Sequence, residues 1–195
     1  IRIYIVKIIN YYVHMFVLKK KYFFIIESIK DINLKNIKNF GKYIIIYRNN
    51  TPEDIEKLKK FRLDCKIKRI PFFVANNVQL INILKADGLY ISAYNKKLNT
   101  NYLKNNYKII GSAHNIKEIR LKKLQGCSDI IFSRLFKTAY LNKTSFLGII
   151  KFNLLRNLIN ISLTPLGGIN LKNYKKLNNV NCQSIALSSL IKDQN

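Results

Sequence analysis

The sequence predicts an α/β protein, a (β/α)8 or TIM barrel with a short N-terminal helical extension, on three observations. The length of 195 residues suits one domain, since a chain of this size buries roughly 70% of the surface its unfolded form exposes. Short apolar runs rich in β-branched and aromatic residues recur along it, as strands buried on both faces of a parallel sheet require. The segments between those runs carry helix-start signals, and strands alternating with helices build a parallel barrel or an open doubly wound sheet. No GxGxxG supports the open sheet.

The predicted strands, in order, are YFFII at 22–26, YIIIY at 43–47, FFV at 72–74, GLYI at 88–91, YKII at 107–110, DIIF at 129–132, NISL at 160–163 and SIAL at 184–187. Thr51-Pro52-Glu53-Asp54 reads as a Thr N-cap, a proline in the first helical position and acids in the first turn. Asn115 with Glu118 resembles a capping box. Asn170 reads as the cap of a helix placing Leu171, Tyr174 and Leu177 on one side. Residues 1–20 are very apolar, with Lys7, Asn10 and His14 at helical spacing, so they are expected to form a helical extension preceding a barrel over 21–195. Arg2, Lys7 and His14 interrupt that stretch and no small-residue cleavage site follows, so a membrane anchor is a weaker reading, as is a misplaced start or fragment, which the opening Ile keeps in play.

The formal net charge is +25, from 35 Lys and Arg against 10 Asp and Glu. Such a balance ordinarily points to nucleic acid or a membrane surface. Here the lysines are scattered through every segment, and a phosphorylated small molecule fits the charge as well as nucleic acid does. Nucleic acid and membrane are therefore not the expected partners. Cys65, Cys127 and Cys182 lie far apart with no metal-ligand spacing, which reads as reduced thiols and a cytoplasmic location. Oligomeric state has no signature in the sequence.

A barrel builds its site from the loops after the strands. Arg48 follows the second strand, where a guanidinium can take a phosphate bidentately or remain a solvated loop residue. Asn76 follows the third strand and Asn95 the fourth, each a ligand contact or a turn residue. Asp87 and Asp129 open strands, so they belong at the barrel bottom, away from the chemistry. His114 follows the fifth strand without an evident carboxylate partner and reads as a helix-start residue before it reads as an acid or base. Arg134, Lys137 and Thr138 lie in the long segment after the sixth strand, a candidate substrate loop. Gly167-Gly168 after the seventh strand and Ser188-Ser189 after the eighth stand where barrels commonly bind phosphate. No HExxH, Cys/His cluster or serine-histidine-aspartate set accompanies them.

The order of these strand-end motifs resembles the thiamine phosphate synthase and thiazole tautomerase superfamily. The stretches that carry the resemblance are YIIIYRN, IPFFVANNVQLINILKADGLYIS, KIIGSAHNIKEI, SDIIFSRLFKT, LGIIKF, LTPLGGIN and IALSSLI, collinear over residues 40–191. The resemblance implies a protein of thiamine biosynthesis that joins hydroxymethylpyrimidine diphosphate to thiazole phosphate, with Mg2+ assisting the departure of pyrophosphate. On that template Arg48 matches the arginine of a QxRxK motif that holds pyrophosphate, and Thr138 matches a threonine on the thiazole phosphate. Gly167, Gly168, Ser188 and Ser189 fall on a phosphate cradle. Ile46 and Asn50 replace the glutamine and lysine of QxRxK, and Ala113 replaces a serine. Asn76 and Asn95 replace the two aspartates that accompany Mg2+, a substitution expected to weaken it severely. Lys143 lies near, though out of register with, the catalytic lysine of the sixth loop, and Arg134 stands where the tautomerase has a histidine. The resemblance thus implies a divergent synthase in which Arg48, Lys137 and Lys143 partly replace the metal, or else a tautomerase-like or non-catalytic phosphate-binding barrel.

Overall fold

Eight parallel strands curve into a nearly closed barrel in the computed structural model, which describes residues 20–37, 41–49, 51, 53–98, 103, 105–138, 145–170 and 172–188. The strands are β1 (Lys21–Ile26), β2 (Tyr43–Tyr47), β3 (Phe72–Ala75), β4 (Gly88–Ile91), β5 (Lys108–Ala113), β6 (Asp129–Ser133), β7 (Ser162–Leu166) and β8 (Ser184–Leu187). Backbone ladders run continuously from β7 through β6, β5, β4, β3, β2 and β1 to β8. Among the described residues four α-helices pack outside: α1 (Ile55–Ile67) after β2, α2 (Val78–Leu84) after β3, α3 (Ile116–Leu124) after β5 and α4 (Gly148–Leu158) after β6. The expected extension over 1–20 lies outside the described residues except for Lys20. That lysine donates from Nζ to the carbonyls of Leu177 and Val180, both at 2.9 Å.

Alternation along each strand separates two cores, because successive side chains point to opposite faces. Phe23, Ile25, Ile44, Ile46, Phe73, Tyr90, Ile110, Ile131 and Ala186 pack inside the barrel. Tyr22, Phe24, Tyr43, Ile45, Phe72, Leu89, Ile109, Ile130 and Leu163 point outward onto the helices. Apolar residues on both faces explain why the strands read as unbroken apolar runs.

Three local predictions are corrected. Asp54, not Thr51, caps α1, its side chain accepting from Glu56 N at 2.9 Å, while Thr51 N donates to Asn49 Oδ1. This frees Glu53 from the helix to accept from Ser28 Oγ (2.6 Å) and Tyr47 OH (2.8 Å), tying the loops after β1 and β2 together. β7 runs past the predicted NISL segment, through Thr164 and Pro165 to Leu166, because Pro165 lacks only a donor and still fits an extended strand. Asn170 does not cap an α-helix: its Oδ1 accepts from Lys172 N, and the helical turn described there is a 3-10 segment, Tyr174–Asn179, in which Leu177 is buried. The Asn115–Glu118 box is present with one change. Asn115 accepts from Glu118 N (2.9 Å), and the Glu118 carboxylate turns back to His114 N (2.7 Å).

The barrel bottom is closed by polar groups. Arg62 of α1 donates to Lys85 O and to Asp87 Oδ1 (3.0 Å), whose other oxygen accepts from Phe72 N (2.7 Å). Between β7 and β8, where no ladder joins the strands, Thr164 Oγ1 lies 2.6 Å from Ser184 Oγ and 3.1 Å from Asp129 Oδ1. Both aspartates therefore serve the scaffold, as their place at the strand starts predicts.

Candidate functional site

The same alternation that points Ile25, Ile46, Tyr90 and Ile110 into the barrel brings the next inward residues to its mouth. These are Glu27, Arg48, Ser92 and Ser112. Arg48 Nη2 pairs with Glu27 Oε1 at 3.3 Å, both side chains roughly one-third exposed or more. The Tyr90 hydroxyl interacts with both the guanidinium and the Ser112 side chain. Burial drives the Tyr90 phenol well above its ordinary range, with Ser112 and Arg48 pulling it partly back. Tyr90 is therefore a neutral phenol whose oxygen accepts from Arg48 and fixes it from below, and Glu27 is a counter-ion that an incoming phosphate would have to displace.

On the next two strands Asn76 and Asn95 meet. Asn76 stands just past β3 in the left-handed region (φ 56°), which asparagine tolerates better than most residues. Its Oδ1 accepts from Ser92 N (3.0 Å) and Asn95 Nδ2 (3.2 Å), and its Nδ2 donates to Ser92 Oγ (2.7 Å) and Tyr94 OH (3.0 Å). Asn95 Oδ1 accepts from Lys97 N.

Opposite, the segment after β6 continues beside the end of β7: Leu135 N donates to Leu166 O and Phe136 N to Gly167 O. Gly167 (φ 97°) and Gly168 (φ 69°) form the turn it packs against. A Cβ on Gly167 would come within 2.9 Å of Arg134 Cγ, and one on Gly168 would strike the carbonyls of Lys137 and Phe136, so only glycine fits. Thr138 follows directly, and its buried hydroxyl has no partner among the described residues. Such an atom costs about 1–3 kcal/mol when left unsatisfied. Lys137 is exposed beside it. Ser188 lies one residue past β8, whose Leu187 pairs with Phe24 of β1.

Of the predicted site residues, Arg48, Asn76, Asn95, Arg134, Lys137, Thr138, Gly167, Gly168 and Ser188 all follow strand ends at the mouth. Asn50, Lys143 and Ser189 lie outside the described residues. His114 has the carboxylate partner that the sequence concealed: Glu118 Oε2 sits 3.1 Å from Nδ1, one helical turn away. Although Glu118 is partly desolvated, which works the other way, its bonds from His114 and Asn115 hold its carboxyl below the ordinary range. Together with Ile116, Phe132, Leu147, Leu154 and Leu158, His114 lines an apolar groove of about 670 Å³ between α3 and α4, outside the barrel. Ser92 is among the polar residues the sequence places after the fourth strand; sequence reasoning missed Glu27, Tyr90 and Ser112, although counting by two from Ile25, Gly88 and Ile110 reaches all three.

Whether Mg2+ fits this mouth is decided by the donor set. Mg2+ demands oxygen ligands in near-octahedral geometry, usually including one or two carboxylates. Asn76 Oδ1 already accepts two hydrogen bonds, its full capacity, and Asn95 Oδ1 accepts one. Among the described residues no group of three His, Cys, Asp or Glu could hold a metal. The residues present do not fit the ion.

The model of a family described as thiamine monophosphate synthase matches residues 25–191. The thiamine-phosphate synthase of Prochlorococcus marinus is 28% identical over 156 residues, 77% of this chain and 45% of the relative. The chain thus spans about half the length of the curated relative it matches. Among solved structures, thiamine phosphate pyrophosphorylase from Pyrococcus furiosus superposes with TM-score 0.70 at 18% identity, over 90% of this chain and 92% of that one. A 3-keto-L-gulonate-6-phosphate decarboxylase from Vibrio cholerae O1 gives TM-score 0.61 at 12% identity, over 90% and 97%. At these identities the superpositions establish the barrel and nothing finer. No helix among the described residues is long and apolar enough to cross a membrane.

Proposed function

We propose, from the premise that the chain belongs to the thiamine monophosphate synthase family, that its barrel mouth binds two phosphorylated halves and joins them as a divergent thiamine phosphate synthase. The observation that carries this reading is the buried Thr138 hydroxyl beside the Gly167-Gly168 turn, which has no partner among the described residues and is a donor-acceptor suited to an oxygen-rich ligand. In this reading Thr138, Lys137, the turn and Ser188-Ser189 hold the monophosphate of a thiazole. Arg48 takes the diphosphate of a hydroxymethylpyrimidine, giving up Glu27 as it does so. Tyr90 keeps the guanidinium in place through the exchange. Lys143 and Asn50 complete the set by resemblance alone.

The reaction replaces the bond between the pyrimidine methylene and diphosphate by one to the thiazole nitrogen, and pyrophosphate departs with the bonding electrons. Arg48 stabilises the negative charge that develops on that leaving group. No step is routed through a metal, because the amide pair does not accept one. That same pair favours a second reading, a barrel that isomerises or only binds a thiazole-type phosphate and needs no departure of pyrophosphate. The fold and the family suit a protein that works on small phosphorylated molecules in the cytoplasm.

The test is the melting temperature of the protein with hydroxymethylpyrimidine diphosphate, thiazole phosphate and thiamine phosphate, paired with an assay for thiamine phosphate formation, since a ligand that binds only the folded state raises that temperature. Shifts with both substrates and product formation are expected. A shift with thiazole phosphate alone, without product, selects the second reading.

A further inference from the structure

The corner of the mouth between β3 and β4 has the wrong polarity for a cation. Behind it, Lys122 of α3 is fully buried. Its Nζ donates to Ser92 O (2.8 Å), Asn95 O (2.8 Å) and Gln125 Oε1 (2.9 Å), which uses all three ammonium protons. Each of these acceptors is a neutral oxygen. Gln125 reinforces the arrangement, donating from Nε2 to Asn95 O (2.9 Å) and Lys97 O (2.7 Å). Gly111 of β5 makes the burial possible, since a Cβ there would come within 2.9 Å of the lysine stem. Burial pushes the ammonium down to about 8, with Cys127 and Glu118 acting against that fall, so it is still charged at neutral pH.

A fixed positive charge therefore sits in a cage of carbonyls directly beneath the loop that carries Asn95. In a trans peptide the carbonyl and the following N–H point in opposite directions. Drawing the carbonyls of Ser92 and Asn95 onto Nζ thus turns the N–H groups of Ala93 and Lys96 away from it. The exposed Lys96 and Lys97 stand on the same loop, and the side chains of Asn76 and Asn95 are tied to each other rather than held open around an ion. Two carboxylates in these positions would repel one another without a cation between them, whereas two amides bond directly. Asn76 spends both amide protons on Ser92 and Tyr94, so what faces an anionic oxygen is the second proton of the Asn95 amide and the outward N–H groups, with an ammonium behind them and no carboxylate to attract a divalent metal.

We infer that this corner takes the anionic oxygens of a diphosphate directly, with no divalent cation between, and that Lys122 is the positioning residue that sets its polarity. The inference rests on the functional reading above only in its choice of diphosphate. The probe is inorganic pyrophosphate, titrated calorimetrically at pH 7 in EDTA and again in excess Mg2+. Binding is expected in EDTA and is expected to weaken in Mg2+, which neutralises the anion in solution. Binding that appears only with Mg2+, or no binding in either buffer, overturns the inference.

Two variants separate its parts. The rim variant Asn76→Asp/Asn95→Asp, at two half-buried positions, is expected to lose pyrophosphate in EDTA and to acquire affinity for Mg2+ alone. An unchanged profile refutes the reading of the corner. Lys122→Ala is expected to lose affinity by about tenfold, and n-propylammonium, which can refill the emptied space, should restore it where propanol does not. Equal restoration by both would reduce Lys122 to packing and overturn its assigned role. Pyrophosphate binding in EDTA by a protein that never forms thiamine phosphate would sink the synthase reading and leave this inference standing. Product formation that requires Mg2+, with pyrophosphate bound only in its presence, would do the reverse.

Discussion

The two ends of the same barrel treat polar groups in opposite ways. At the bottom, Asp87 is divided between Arg62 and Phe72 N, and Asp129 is joined through Thr164 to Ser184, so each carboxylate has its partners within the scaffold. At the mouth, Arg48 holds a half-exposed counter-ion it can exchange, and the Thr138 hydroxyl has no partner at all among the described residues. Strand ends differ in this way because the starts of the strands are sealed by neighbouring turns, whereas their ends open onto loops that must leave room for a ligand. Satisfied polarity stabilises; unsatisfied or exchangeable polarity marks where something binds.

Substitutions at the two ends should therefore separate stability from affinity. Arg62→Ala removes the clamp at the bottom and should cost about 2–3 kcal/mol in urea unfolding, given the charge-assisted bonds lost, with phosphate affinity unchanged once the protein is folded. An affinity loss in the folded variant would erase the contrast. Arg48→Ala, at the mouth, should weaken pyrophosphate binding by about ten- to a hundredfold, the loss of one or two charge-assisted bonds. Its stability should move by less than about 1 kcal/mol, because the pair it breaks is solvent-screened. Lys137→Ala should lose less affinity than Arg48→Ala, since an exposed loop lysine is less preorganised than a guanidinium held by Tyr90. Equal losses measured by calorimetry would remove Arg48 from its assigned role.

Thr138→Val sharpens the comparison further. Removing a hydroxyl that has no partner among the described residues should leave the melting temperature unchanged or slightly raised, while inorganic phosphate binds several-fold more weakly. A clear loss of stability would show that the hydroxyl is already satisfied.

A separate prediction concerns pH. Burial holds Lys122 near 8 in the folded protein, against 10.5 for the free side chain. Between those values the unfolded chain binds more protons than the folded one, so this group's contribution to stability rises with pH across that window and is most unfavourable below 8. The stability difference between the protein and Lys122→Ala should therefore shift in favour of the lysine form from pH 8 to pH 10, as read by urea midpoints. A flat difference would mean that the ammonium is not desolvated.

The sequence made the scaffold legible because burial on both faces leaves an unbroken apolar imprint, and all eight strands fall on such runs. Strand ends were less legible. Pro165 hid the continuation of β7, and Thr51-Pro52 imitated a cap that Asp54 provides, freeing Glu53 for the rim. Arg48 and the glycine pair stand out in the sequence because loops after parallel strands are where sites are sought, and Thr138 stands out through the family resemblance. Lys122 was invisible for a physical reason: it neighbours Lys123, and nothing in the residue types says that the first is sealed inside while the second faces water. The same holds for the amide pair, whose direct hydrogen bond depends on a turn of Asn76 that only the backbone conformation discloses.

The junction of β8 with β1 bears on how the chain acquires its shape during synthesis. Six of the seven ladders among the described residues join strands consecutive in sequence, and can form as each successive strand emerges. The seventh brings Lys21 against Ser184, across nearly the whole chain. Until that last strand has left the ribosome, the outer edges of β1 and β7 are bare templates for pairing with other chains. The final contact to form is thus the one of longest sequence separation, the kind that slows folding most. A pause in translation shortly before residue 184 would hold the nascent barrel open, which makes this segment the stretch where a chaperone has the most to protect.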